Sequence, residues 1–525
     1  MPSPRPMSLL TLLLSASLAT GVAAGADWTE QELATAAALR DAALAGTAAY
    51  ERVSSLVTDV GPRFAGSAGD AAAVRWALNT LGTLGYSRVH TQDVLVPRWV
   101  RGTTEVRIVG PAPRALVAVA LGGSVGTAEE GLEAQVIEAP SLEALKGLAP
   151  ASISGKIVFI NERMERTRDI SGYESAVRKR TQGPSVAGDL GAIALVIRSA
   201  GTSAERIAHT GSLNYRVDAP RIPAFALSNP DADLLERQIA TGKPVRLWLR
   251  STARELPPAW SANVIGEIPG TTRADEIVLL GAHLDSWDIA PGALDDAAGI
   301  AIVTEAARLI STLEARPART IRVVLFANEE FGLSGAREYA TTLGEEAARH
   351  VIAMEADLGA GPLWALQSQV APEALDAIEA LRSILQPLGL EAGGNTAEGG
   401  ADLGPLRALG VPVIEFASDA RAYFDVHHTV NDTLAKVDRK TLDQSVAAYA
   451  VAAYLAATKQ GDYGRLTPQP ATPQTGTAQP EGEAKTPQPD AKPDSESAQP
   501  DSASTSGTGA RTTSSEPPQE NTQED

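Results

Sequence analysis

The stretch EIVLLGAHLDSWDIAPGALDD, Glu276 to Asp296, places one histidine and several carboxylates within a short span. His283 and Asp285 follow the apolar run Ile277–Leu280, and Asp295 and Asp296 stand side by side before a second apolar run. Neutral imidazole and carboxylate oxygen are natural zinc ligands, and core packing has no use for them together. Later segments carry the same chemistry. Glu329 and Glu330 follow the apolar run Ile321–Phe326, Asp357 follows a run that starts at Val351, and His427 and His428 lie in YFDVHHTVNDT. Five positions could hold two ions: His283, Asp295, Glu330, Asp357 and His428. Two ions ~3.5–4 Å apart need a bridging carboxylate. Asp295 suits that part, being short and placed at a helix start where backbone N–H groups favour an anion. One Glu of the 329–330 pair should bind metal and the other stay free, to take a proton from water and pass it to a leaving amine. Asp285 can accept from the second ring nitrogen of His283 and fix its tautomer. Asp432 can do the same for His428. His427 stays open between ligand and neighbour, and Tyr423 is a candidate phenol donor to a developing oxyanion.

Strands and helices must bring these residues to one place. Strands are expected to end at His283, Asn328 and Asp357, with another over Val411–Phe416 and a final Ala-rich helix over Asp443–Thr458. The alternation predicts an α/β fold with a mixed, largely parallel central sheet and helices on both faces. Ligands of such sheets bind beyond the carboxyl ends of the strands, where His283, Glu329, Glu330 and Asp357 all fall. That shared location is the reason to group the acid pair with the histidines, since alone it would be a solvated helix start. Upstream, Thr29 caps a helix to Ala48, Ala49–Val60 is helical up to Gly61-Pro62, Ala71–Leu84 is a helix, and Ser87–Val96 is a strand. From 115 to 255 short β-rich runs alternate with loops, the texture of an inserted domain. Its His209, in HTG, is a structural or exposed histidine on this reading. The expected division is 1–24 signal peptide, 27–114 and 256–460 catalytic domain, 115–255 insertion, and 461–525 tail.

Composition narrows the function further. The net charge of −19 leaves no basic surplus for phosphates, so nucleic acid is not an expected partner. Arg5, the apolar Leu9–Leu18 and Val22-Ala23-Ala24 form a secretory signal cleaved near Ala24. The expected location is secreted or periplasmic, with no membrane span after cleavage. There is no cysteine, which removes disulfides, thiolate ligands and a thiol nucleophile. The tail has no Leu, Ile, Val, Met, Phe, Tyr or Trp from Thr467 onward and is expected to be disordered. GGSVG, Gly122–Gly126, has the spacing of a serine-hydrolase elbow, but the polar TAEEGLE after it is not the helix an elbow feeds.

The blocks GAHLDSWDIAPGALDD, FANEEFGLSGA, MEADLGAG and HHTVNDT resemble the metal-site blocks of the M28 zinc peptidases, in particular the carboxypeptidase Q branch. VPRWVRG, KRTQG, IRS, HTG and IPAFALS extend the resemblance, which runs from about Leu33 to Leu455. It implies two Zn2+ per chain, with His283 and Asp357 on one ion, Glu330 and His428 on the other, and Asp295 on both. It implies Glu329 as general base, a cis Asp295-Asp296 bond, a protease-associated-like insertion and a homodimer. GADLGPL, Gly400–Leu406, lacks the histidine of the Ser-Asp-His block found in many M28 aminopeptidases. The expected activity is therefore a secreted di-zinc exopeptidase acting on short peptides, dipeptides first. The alternatives are a broad aminopeptidase, a glutaminyl-cyclase-like transferase with one zinc, and a receptor-like ectodomain without catalysis.

Overall fold

The computed structural model describes residues 27–468. The expected signal peptide and the tail beyond 468 lie outside the described residues. The chain enters through the helix Glu30–Leu44, whose Thr29 and Glu32 form the reciprocal pair of a capping box. Then comes β1, Arg88–Val100. Eight strands follow before the chain returns to it: β2 Thr104–Val109, β3 Arg114–Leu116, β4 Ala118–Ala120, β5 Leu132–Ala139, β6 Ile157–Ile160, β7 Ala194–Arg198, β8 Ala224–Leu227 and β9 Arg246–Ser251. They form their own sheet, in the order β3-β2-β9-β5-β6-β7-β8-β4. Membership of this second sheet begins at Thr104, ahead of the expected boundary at 115.

The first sheet is completed by β10 Arg254–Ile268, β11 Arg273–His283, β12 Arg319–Phe326, β13 His350–Glu355, β14 Leu363–Gln369, β15 Glu391–Ala392 and β16 Val413–Ser418. Its order is β1-β10-β12-β11-β13-β16-β14-β15. The central pairs β11–β12, β11–β13 and β13–β16 are parallel, while β1–β10, β10–β12 and β14–β16 are antiparallel. The sheet is thus mixed, with a parallel centre and a further parallel pair, β14–β15, at one edge. Helices Ala298–Ser311 and Arg439–Thr458 pack on one face through Ile302, Ala306, Val446 and Ala453, all buried. Ser334–Thr342 and Gly404–Ala408 cover the other through Ala336, Tyr339 and Leu406. Parallel strands buried on both faces carry continuous apolar runs, and Val278, Leu279 and Leu280 are fully buried.

The tail starts later than expected at 461. Tyr463 is only 1% exposed, Arg465 donates to the carbonyls of Ala347 and His350, and the Leu466 N–H donates to Gly410. One aromatic ring and one arginine anchor a stretch whose composition otherwise reads as tail.

His350, the first residue of β13, makes acid stability testable. Its Nδ1 lies 3.1 Å from the Glu346 carbonyl, which can only accept, so Nδ1 carries the proton. Nε2 then accepts from the Tyr339 hydroxyl at 2.8 Å. Burial, with Arg322 nearby, pushes the His350 pKa down to about 4. The unfolded chain therefore takes the proton first. The stabilisation is complete above pH ~6.5 and is lost as pH falls toward 4, by ~3 kcal/mol. Urea midpoints of His350→Phe should fall less steeply than the wild type's across that window.

Candidate metal centre

Register brings the functional residues to one edge. His283 closes β11 and pairs with Phe326, the last residue of β12, so Glu329 and Glu330 leave the sheet beside it. Gly281 pairs with Glu355 at the end of β13, and Asp357 follows two residues on. Asp295 comes from the turn that opens the helix at Ala298, and its bond to Asp296 is cis. His428 comes from the loop after β16 and has a positive φ of 59°.

Asp295 stands between two groups of ligand atoms. Its Oδ1 is 3.2 Å from His283 Nε2, which is also 3.3 Å from Asp357 Oδ1. Its Oδ2 is 3.3 Å from His428 Nε2, which is 2.9 Å from Glu330 Oε2. The five expected positions therefore fall into two adjoining sets that share one carboxylate. His427 lies at the edge of the second set, with Nε2 at 3.6 Å from Asp295 Oδ2 and its ring stacked on His428 at 3.5 Å.

The surroundings leave one oxygen of Asp295 and one of Glu330 without a protein partner. Asp295 Oδ2 and Glu330 Oε1 are buried and accept no hydrogen bond. Burial, then Asp295, pushes Glu330 up to about 7. Burial also raises Asp357, and Asp295 adds to the effect. Burial pulls His283 and His428 down, but Asp357 beside the one and Glu330 beside the other outweigh it and hold both well above the usual histidine range. Buried carboxylates with no arginine or lysine on them are costly, and a cation supplies the missing charge. Imidazole and carboxylate oxygen without thiolate are a donor set that zinc accepts, so the residues present fit the ions the resemblance implies.

Several neighbours set the geometry. Asp296 also lies near His283 and Asp357. Its two oxygens, however, accept the His283 N–H at 3.1 Å and the Gly299 N–H at 3.0 Å. Gly299 has no alternative, because a Cβ there would lie 1.8 Å from the Ala356 carbonyl oxygen. Asp285 Oδ1 is 3.6 Å from His283 Nδ1, beyond a hydrogen bond, and accepts the Glu329 N–H at 2.9 Å. Asp432 does not reach the His428 ring as expected. It accepts the Leu294 and Asp295 N–H groups at 2.7 and 3.1 Å, because the bridging turn has backbone donors to satisfy and lies directly opposite. Glu329 is half-buried and Glu330 buried. Burial, with Asp357 and Glu330 adding, raises the Glu329 carboxyl well above its usual range. Tyr423 is buried with its ring 5.0 Å from His427.

Arg63, a loop residue without any sequence signal, is fully buried. It donates to the carbonyls of Leu284, Pro291 and Gly292 and so ties the His283 strand end to the turn before Asp295. Asp402, in the block that lacks histidine, is fully buried with both oxygens unpartnered, and its N–H donates to Glu355. Ser124 of GGSVG is buried, with its hydroxyl tied to Val125 and Ala224, and is not a nucleophile. Trp287 and Phe331, next to the metal centre, pack with Phe64 and Trp99 into the core of the second sheet. The two sheets thus meet at the site.

Comparison with known proteins identifies the family. The model of peptidase family M28 matches residues 263–453. Carboxypeptidase Q from Mus musculus is 33% identical over 408 residues, covering 78% of this chain and 85% of that protein. Carboxypeptidase Q from Homo sapiens is also 33% identical over 408 residues, with the same coverage. Aminopeptidase YwaD from Bacillus subtilis is 26% identical over 422 residues, covering 78% of this chain and 85% of that one. The crystal structure of a peptidase M28 precursor from Shewanella amazonensis superposes with a TM-score of 0.82 at 44% identity, covering 84% of this chain and 99% of that one. The chain belongs to peptidase family M28 and is a metallopeptidase.

Proposed function

We propose that this chain is an exported di-zinc exopeptidase that hydrolyses short peptides, dipeptides foremost, and works as a homodimer. The observation that carries the two-ion part is the division of Asp295, with Oδ1 toward His283 and Asp357 and Oδ2 toward His428 and Glu330. In this reading His283, Asp357 and Asp295 hold one zinc, and Glu330, His428 and Asp295 the other. Bound zinc supplies Lewis acidity, which polarises a peptide carbonyl and lowers the pKa of water.

The chain's own residues do the rest. Glu329 accepts the attacking water's proton at a carboxylate oxygen and returns it to the departing amine nitrogen. Burial, with Asp357 and Glu330 adding, raises its carboxyl above the usual range, which favours it as a proton acceptor. Asp285 fixes the Glu329 backbone through the 2.9 Å hydrogen bond. Asp296, Asp432 and Arg63 keep His283 and Asp295 in place. Export rests on the N-terminal sequence, and no helix among the described residues is long and apolar enough to cross a membrane. The homodimer rests on the resemblance to the carboxypeptidase Q branch.

The second reading is an aminopeptidase, favoured by relatives of that name. Hydrolysis of one dipeptide and one longer peptide, each free, N-acetylated and C-amidated, separates the two. The dipeptidase reading expects free dipeptides to be cleaved and longer peptides poorly. Cleavage of long peptides from the amino end, with loss only on N-acetylation, would assign the aminopeptidase reading instead.

A further inference from the structure

The two halves of the centre are supported differently. His283 and Asp295 are held by groups from the first sheet and its loops: Asp296, Asp432 and, through the turn, Arg63. The His427–His428 loop is held from the second sheet. Within the loop, Tyr423 O accepts the N–H groups of Val426 and His427, and Val426 O accepts that of Thr429. None of these bonds takes the carbonyls of His427 and His428. Those two consecutive carbonyls are taken by consecutive residues of the segment between β7 and β8. His209 Nδ1 lies 2.7 Å from His427 O, and the Thr210 N–H donates to His428 O at 2.9 Å.

This clasp is built into the interior. His209 is 1% exposed, and burial pushes its pKa down to about 4, so it is neutral. A carbonyl only accepts, so the single ring proton sits on Nδ1. Gly201 makes room: a Cβ there would lie 2.1 Å from His209 Cε1. Arg180 completes the support. It donates to Thr210 O and Ser212 O, and its Nη1 stands 3.5 Å from His428 Nδ1. The loop needs this help because His428 has a left-handed backbone. A residue other than glycine there is strained and persists only when its surroundings impose the conformation. His209, Thr210 and Arg180 all lie outside the stretch matched by the family model.

We infer that His209 is a positioning residue: its Nδ1–H, by holding the His427 carbonyl, orients His428 and sets the affinity of the Glu330/His428 half alone. The inference rests on the two-ion reading above.

The test is zinc affinity measured by chelator competition, ion by ion, on the full chain at fixed pH. His209→Leu keeps bulk without a donor. His209→Gln offers an amide at the Nε2 end of the ring, and His209→Asn offers one at the Nδ1 end. Partners one step behind a ligand are worth about 10- to 100-fold in metal affinity. The expected result is that loss for one of two zincs in the Leu and Gln variants, recovery in Asn, and the other zinc unchanged in all. The Gln and Asn pair decides the matter even where the Leu variant does not fold. Two wild-type zincs with equal affinities in Gln and Asn, or parallel loss of both ions in Gln, would overturn the inference alone. Fewer than two zincs in the wild type would overturn the two-ion reading and the inference with it.

Discussion

Glu329→Gln should retain both zincs and lose kcat by ~10²–10⁴-fold, the usual worth of a positioned acid–base group. The amide keeps the shape of the side chain but cannot accept the water's proton. Glu329 belongs to neither set of ligand atoms around Asp295, and its backbone N–H stays on Asp285 in the variant. Metal content should therefore be unchanged, and so should KM if zinc and its neighbours bind the peptide. Glu330→Gln provides the contrast. Its Oε2 is 2.9 Å from His428 Nε2, so that variant should lose affinity for one ion as well as activity. Zinc analysis beside initial rates distinguishes the two acids. Equal metal loss in both variants would put Glu329 among the ligands and leave the proton transfer without an owner.

Asp295→Asn should be the most damaging single change in the centre. One carboxylate serves both sets, so its loss should lower affinity for both ions by more than ~100-fold, beyond the cost of losing a partner behind a ligand. It should also release the restraint on the two histidines. His283 and His428 are held well above the usual histidine range partly by Asp295. With Asn in its place both should titrate at lower pH, a shift readable by histidine NMR of the metal-free protein. His428→Ala removes a ligand from one set only and should leave one zinc in place. Retention of two tightly bound zincs by Asp295→Asn would show that the two sets do not share this carboxylate.

Much of the centre was legible because its residues lie where strands end. An apolar run followed at once by His283, by Glu329-Glu330 or by Asp357 announces both the strand and the site, and the parallel register puts all of them on one edge. The capped first helix was equally plain, since Thr29 and Glu32 bond each other locally. Contacts with backbone far away in the chain were not legible. Arg63 serves three carbonyls and Asp432 two N–H groups, and a side chain that answers distant backbone leaves no periodicity or spacing behind. His209 is the same case, with the His427 carbonyl as its partner. The strand β10 runs through Pro257-Pro258, residues that cannot donate to a ladder. Pairing with β1 is interrupted between Val96 and Arg98, opposite that pair, and so the prolines are accommodated at an irregularity. The start of the tail was misplaced because one tyrosine, Tyr463, holds residues of loop-like composition against the core.

The central claim is that two ions share Asp295. A crystal structure of the purified zinc-loaded protein, with anomalous data at the zinc edge, tests it most directly. The account predicts two peaks ~3.5–4 Å apart, one contacted by His283 and Asp357, the other by Glu330 and His428, with an Asp295 oxygen on each. A single peak, or two peaks of which one makes no contact with Asp295, would contradict it.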